Sequence, residues 1–244
     1  MLFRSNANSY VAWQWKESVT SGLDVVTYTG TLTGTAPPVA ISHNLGVAPK
    51  LVISKALTPT GADTGGWFVW HASAGTGNFL RLNTTDQANT ISGAGGGTMI
   101  APTSSVFYTP WVAGANASGN TYVAYCFAEI AGFSKFGSYT GNGLADGPFV
   151  FCGFRPRFVM IKRTDSSGGW NIIDTTIASY NLAQPLLQAN TAATEVAQSE
   201  LDLLSNGFKY RGSSSNVLFD HNISGGTYIF AAFAEVPSKY ALAR

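Results

Sequence analysis

The chain has 244 residues, 45% of them hydrophobic and only 11% Asp, Glu, Lys or Arg, with a formal net charge of +1. An ordinary soluble domain carries about 25% charged residues, so Gly, Ser, Thr and Asn fill the surface here, a mixture that favours strands and turns over surface helices. The charges are dispersed: no basic stripe marks a nucleic-acid track, and no apolar run approaches the roughly 20 residues that cross a bilayer, so neither nucleic acid nor membrane insertion is expected.

In chain order, the first element is NSYVAWQWK, Asn8 to Lys16. It reads as a closing strand with no full unit before it, which makes residues 1–23 the tail of an upstream unit. A strand carrying Trp13 and Trp15 is expected to be paired, on the sheet of the second unit or on a neighbouring subunit, because an open apolar edge aggregates. The N-terminus has one Arg, Arg4, and no apolar core of signal-peptide length. That fits release by lysis rather than secretion.

Residues 24–133 and 134–244 then read as two copies of one unit. Tyr28 to Gly30 answers Tyr139 to Gly141, and SHNLGVAPKLVISK (Ser42 to Lys55) answers CGFRPRFVMIK (Cys152 to Lys162). GGWFVWH (Gly65 to His71) answers GGWNIID (Gly168 to Asp174). The copies close on NTYVAYCFAE (Asn120 to Glu129) and GTYIFAAFAE (Gly226 to Glu235). In each, the strand after Pro49 or Pro156 pairs with the Trp-led strand as a hairpin. On the closing strand, Tyr122, Ala124, Cys126 and Ala128 share one face, and Val123, Tyr125 and Phe127 take the other. Both faces are apolar, which suits a sandwich interior or a junction between units. Leu201 to Arg211 reads as a further hairpin turning at Asn206-Gly207. Ala192 to Ser199 reads as a short helix capped by Thr191; the first copy has a Gly-rich loop, Ser92 to Thr98, near that place. The expected fold is all-β: two tandem, duplicated β-sandwich-like units with an extra N-terminal strand and one short helix.

The strings YVAYCFAEIAGFSKFGSYTGNG, DGPFVFCGFRPRFVMIKRTDSSGGWNIID and GGTYIFAAFAEVPSKYALAR resemble a domain of unknown function that recurs in tail-fibre and other virion proteins of marine and cyanobacterial phages. HNLGVAPK is similar to a His-(Gly/Asn)-Leu-Gly-x-x-Pro motif of phage fibre modules. The resemblance runs from about Tyr10 to Arg244 and carries no catalytic or binding residues. It implies a virion location, a homo-oligomer such as a trimer, and as partners other copies of itself, other virion proteins and a host-surface glycan.

No constellation for catalysis survives a comparison of the two copies. His43, His71 and His221 have no short metal-ligand spacing, and His71 is replaced by Asp174 in the second copy. Asp146, Asp165, Asp174, Asp202 and Asp220 could furnish a glycosidase pair, yet the first copy lacks most of them. Gly93 to Gly97 has no following Lys-Ser/Thr and is not a P-loop. Cys126 and Cys152 read as buried thiols, with a disulfide between them as the alternative. No cofactor, metal or enzymatic activity is expected. Four tryptophans are the candidates for a ligand contact: Trp67 and Trp170, whose repetition favours packing, Trp70, and Trp111 in a Pro-bounded loop without a counterpart. The expected function is a structural and adhesive virion component, a tail-fibre module for host attachment. The alternatives are a capsid or tail structural protein without a receptor, and a polysaccharide-degrading spike. An exposed pocket lined by aromatics and Asn or Asp would favour adhesion; large apolar junctions between units without a pocket would favour assembly.

Overall fold

In the computed structural model, every regular element among the described residues is a strand. Those residues are 2–5, 8–32, 37–60, 65–75, 77–91, 99–110, 115–177, 181, 183, 185–197, 201–212 and 221–234. Strands β1 (Leu2–Ser5) and β2 (Asn8–Val11) form an antiparallel hairpin.

The first unit holds β3 (Leu23–Thr29), β4 (Val39–Ser42), β5 (Leu51–Ala56), β6 (Trp67–His71), β7 (Asn78–Arg81), β8 (Asn89–Thr90), β9 (Val106–Thr109) and β10 (Thr121–Phe127). Its large sheet has the order β3-β10-β5-β6-β7-β8, and β4-β9 forms a small second sheet. The second unit holds β11 (Ser134–Thr140), β12 (Phe149–Phe151), β13 (Pro156–Arg163), β14 (Trp170–Asp174), β15 (Leu187–Gln188), β16 (Leu201–Leu204), β17 (Gly207–Tyr210) and β18 (Thr227–Ala234). Its sheets are β11-β18-β13-β14-β15 and β12-β17-β16. Each sheet is drawn from one unit only, and the closing strand lies second in each large sheet. The expected Pro-led hairpins are β5–β6 and β13–β14, both antiparallel.

Alternation along the closing strand makes both faces of each large sheet apolar, and each face has its own use. In the first unit Ala124, Cys126 and Ala128 pack with Leu45, Val52 and Phe107 inside the sandwich. In the second, Tyr228, Phe230 and Ala232 pack with Val159, Ile161, Phe208 and Tyr210. The opposite faces meet each other: Leu51, Val69, Leu80 and Phe127 of the first unit join Phe136, Phe158, Met160, Trp170, Ile172 and Phe233 of the second in one buried cluster. Cys126 and Cys152 are free, buried and in different sandwich cores, as expected.

The duplication extends to single bonds. Tyr28 stacks on Tyr122 at 5.0 Å and 12°, and Tyr139 stacks on Tyr228 at the same distance and angle. The Tyr122 hydroxyl accepts from the Ala117 amide (2.8 Å) and the Tyr228 hydroxyl from the Ile223 amide (3.0 Å). Asn116 Oδ1 accepts from the Thr31 amide and Asn222 Oδ1 from the Asn142 amide, both at 2.8 Å. A Cβ on Gly30 would stand 2.0 Å from the Ala117 carbonyl oxygen, and one on Gly141 2.3 Å from that of Ile223. That close approach fixes glycine in both Tyr-Thr-Gly strings.

Three expectations need correction. There is no helix from Ala192 to Ala197; that stretch is irregular, and Val196 bridges Leu186 in antiparallel fashion, since an extended chain there can drop Val196 against the sandwich core. Residues 198 and 199 lie outside the described residues. The closing-strand pattern of Asn8 to Lys16 forms strand only as far as Val11, paired with β1 and not with the second unit's sheet. Beyond it Ala12–Lys16 is a strap whose tryptophans insert between the units. Finally, the Leu201–Tyr210 hairpin turns on Ser205 and Asn206, with Leu204 opposite Gly207. Gly207 is already in β17, and glycine is required there because a Cβ would lie 2.0 Å from the Val150 carbonyl oxygen on β12.

Candidate functional site

The strap alternates like a strand without being one. Trp13 and Trp15 are half-buried while Gln14 and Lys16 are exposed. Trp15 meets three phenylalanines edge-on: Phe127 at 6.0 Å, Phe158 at 5.6 Å and Phe233 at 5.5 Å. Trp13 meets Phe158 at 5.5 Å, and its indole N–H donates to Asp174 Oδ2 at 2.7 Å. Such edge contacts are favoured by the ring quadrupoles and add to the burial of apolar area.

Between strap and second unit runs a groove of about 960 Å³. Its apolar wall is Trp13, Trp15, Phe158 and Phe233, and its polar side is Arg157, Asp174, Thr176 and Glu195. Asp174 ends β14, where its Oδ1 accepts from the Thr176 amide at 2.7 Å and so caps the turn. Arg157 donates to Thr176 Oγ1 at 2.8 Å and stands 4.0 Å from Asp174 Oδ1. Both oxygens of Asp174 are therefore engaged. Aromatic walls beside hydroxyl, acid and guanidinium groups are the lining by which grooves stack on and hydrogen-bond to ligands.

Three of the other candidate aspartates are held in ion pairs. Asp146 meets Lys209 at 2.7 Å and Arg211 at 3.7 Å, Asp165 meets Arg163 at 2.9 Å, and Asp202 meets Arg211 at 2.7 Å. The hydrogen bond from Lys209 holds the Asp146 carboxyl below its ordinary range, and that from Arg163 does the same for Asp165. A general acid needs the opposite shift. Asp220 lies outside the described residues. Among the described residues no three of His, Cys, Asp or Glu cluster as a metal site. His43 is buried, its Nδ1 accepting from the Leu45 amide at 3.2 Å and its Nε2 facing the Thr103 carbonyl.

The three candidate tryptophans among the described residues do not line the groove. Trp170 is 2% exposed at the junction of the units, with its N–H donated to the Arg81 carbonyl at 2.8 Å; it is closed to any ligand. Trp67 is half-buried with the Lys55 ammonium 5.2 Å from its ring centroid, a cation–π contact. Trp70 is half-buried against two core clusters of the first unit. Trp111 lies outside the described residues. Sequence reasoning missed the groove because the walls named above come from five separated segments. The legible signal was that Trp13 and Trp15 take the places of Tyr125 and Phe127 in a third copy of the closing strand.

A family model described as a domain of unknown function, DUF7483, matches residues 3–237. Comparison with curated proteins and with solved structures finds no match.

Proposed function

The chain belongs to this family of domains of unknown function, and we propose that it is a structural and adhesive component of a bacteriophage virion, a tail-fibre module that takes part in host-surface attachment. The observation that carries this reading is the joining of two copies of one unit through a continuous aromatic core, with an aromatic- and acid-lined groove left open beside them. Repetition of a rigid β unit builds length and surface, and an open groove offers a place to engage a partner. The resemblance of the closing strands to those of phage fibre proteins supplies the setting.

The large apolar junction favours a second reading, a capsid or tail structural protein without a receptor. Antibodies against the purified chain separate the two. Labelling of intact particles together with blocked adsorption to host cells is the expected result. Labelling with unimpaired adsorption would leave the structural reading, and no labelling would overturn both.

A further inference from the structure

The three closing strands can be aligned as NSYVAWQWKE, NTYVAYCFAE and GTYIFAAFAE, which makes Trp15, Phe127 and Phe233 equivalent. These three side chains meet one another: Trp15–Phe127 6.0 Å, Trp15–Phe233 5.5 Å and Phe127–Phe233 5.7 Å. The glutamates after the first two of these strands behave alike too: Glu17 accepts from the Val25 amide and Glu129 from the equivalent Phe136 amide, both at 3.2 Å.

Contacts between the units run head to tail. His71, at the end of β6, reaches the Phe230 carbonyl on the second unit's closing strand at 3.1 Å. Its equivalent Asp174, at the end of β14, reaches Trp13 on the strap. An exchange of the first two units by a two-fold would send Asp174 back to β10; instead it points onward to a third closing strand. Such heterologous contacts close into a ring when the rotation permits.

We infer that the two units and the strap stand around a pseudo-three-fold axis, and that the groove beside the strap is the seat of a third, partner unit of this same fold, for which the strap supplies the closing strand. The groove is continuous with the established junction, since Trp15, Phe158 and Phe233 belong to both. The first junction also states what the partner must bring. There the tip of the second unit's hairpin grips the loop after β7: Lys162 donates to the Thr85 carbonyl at 3.3 Å, the Gly168 amide to the same carbonyl at 2.8 Å, and Trp170 to the Arg81 carbonyl.

Pairing register makes Arg81 equivalent to Gln188, for Phe68 faces Arg81 as Asn171 faces Gln188. The Leu82 amide donates to Trp67 as the Ala189 amide does to Trp170, and Asn83 and Asn190 accept from those same tryptophan amides. The partner's hairpin lysine and tryptophan would therefore meet the carbonyls of Ala192 and Gln188. Residues 191–195 are exposed there, with Glu195 at the groove adding a charge that suits an incoming lysine.

The inference does not depend on a place in a virion, so its failure and that of the proposed function are separable. The test is a chain in which a further copy of residues 24–119 is joined ahead of Asn8, so that Asn8–Lys16 closes it. Joining supplies an effective concentration of about a millimolar. Amide exchange of residues 174–177 and 190–195 should slow at least about tenfold against the full chain, and Lys55→Met in the added copy should release residues 190–192 first. A second extension built from residues 134–225 guards against a graft that does not fold. If neither extension protects these segments, the inference fails. It also fails if the unextended chain protects them by self-association at rising concentration, or on adding oligosaccharides of bacterial surfaces, since the seat then belongs to a second copy or a glycan.

Discussion

His71 and Asp174 occupy equivalent ends of β6 and β14 and do the same two jobs with different chemistry. Each accepts from the amide two residues on, His71 Nδ1 from Ser73 at 3.0 Å and Asp174 Oδ1 from Thr176 at 2.7 Å. Each uses its other atom to reach the next closing strand. His71 meets a carbonyl, of Phe230, and must donate; Asp174 meets the Trp13 N–H and must accept. The amide bond to Nδ1 fixes the tautomer of His71 with the proton on Nε2.

Exchanging them should therefore fail although the positions are equivalent. In H71D a buried carboxylate would face a carbonyl, and in D174H a neutral ring cannot accept at both nitrogens. Each change should cost about 1–3 kcal/mol, the scale of a buried polar group left without its partner. Urea unfolding of both variants measures this; an unchanged midpoint for either would remove the assigned role.

Acid should destabilise the fold before its carboxylates titrate. Burial pulls the His71 pKa from 6.5 down to about 4, and that of His221 to about 3. Between those values and 6.5 the unfolded chain binds more protons than the folded one, so stability rises with pH across the window. It is fully present above about pH 6.5 and declines as pH falls toward 4. Denaturation midpoints at pH 7, 5.5 and 4.5 should fall in that order, and H71Q should shallow the slope.

Lys55 and Lys162 are equivalent, and both donate to a glycine carbonyl of the following loop, Gly65 or Gly168. Lys162 alone is fully buried, and it also holds the carbonyls of Thr85 and Arg163. Desolvation lowers its pKa to about 8. K162M should cost about 1–3 kcal/mol by orphaning carbonyls at the junction, whereas K55M, at a half-buried site, should cost less. Comparable losses in thermal unfolding would contradict this.

Gly207→Ala should break the pairing of β12 with β17, because the added Cβ falls 2.0 Å from the Val150 carbonyl oxygen, a backbone atom that cannot turn aside. Overpacking of this kind costs about 1–3 kcal/mol. The amides of Phe149–Phe151 should lose their exchange protection while β13 and β18 keep theirs.

Much of the fold was legible because it rests on local patterns. Alternation marked β10 with the right residues on each face, and the Pro-led and Trp-led strings paired as read. The Ala192–Ser199 stretch misled because good helix formers weigh little against burying Val196 beside Leu186. Glycine at 207 was read as a turn residue when a neighbouring strand demanded it. The groove was not legible: Trp13, Phe158, Asp174 and Phe233 are far apart in the chain, and nothing local marks them as neighbours.

By itself the sequence determined the Pro-led and Trp-led strands, the duplication and the two-sided apolar closing strand, since these follow from residue order and side-chain period. Only the tertiary structure decided which apolar face met which. It turned the two large sheets toward each other, set Trp15 among Phe127 and Phe233, and left polarity at residues 71 and 174 to be chosen by the group each one faces. The reason is physical: burial is non-directional and tells a face only to leave water, while a buried donor or acceptor must match one particular atom.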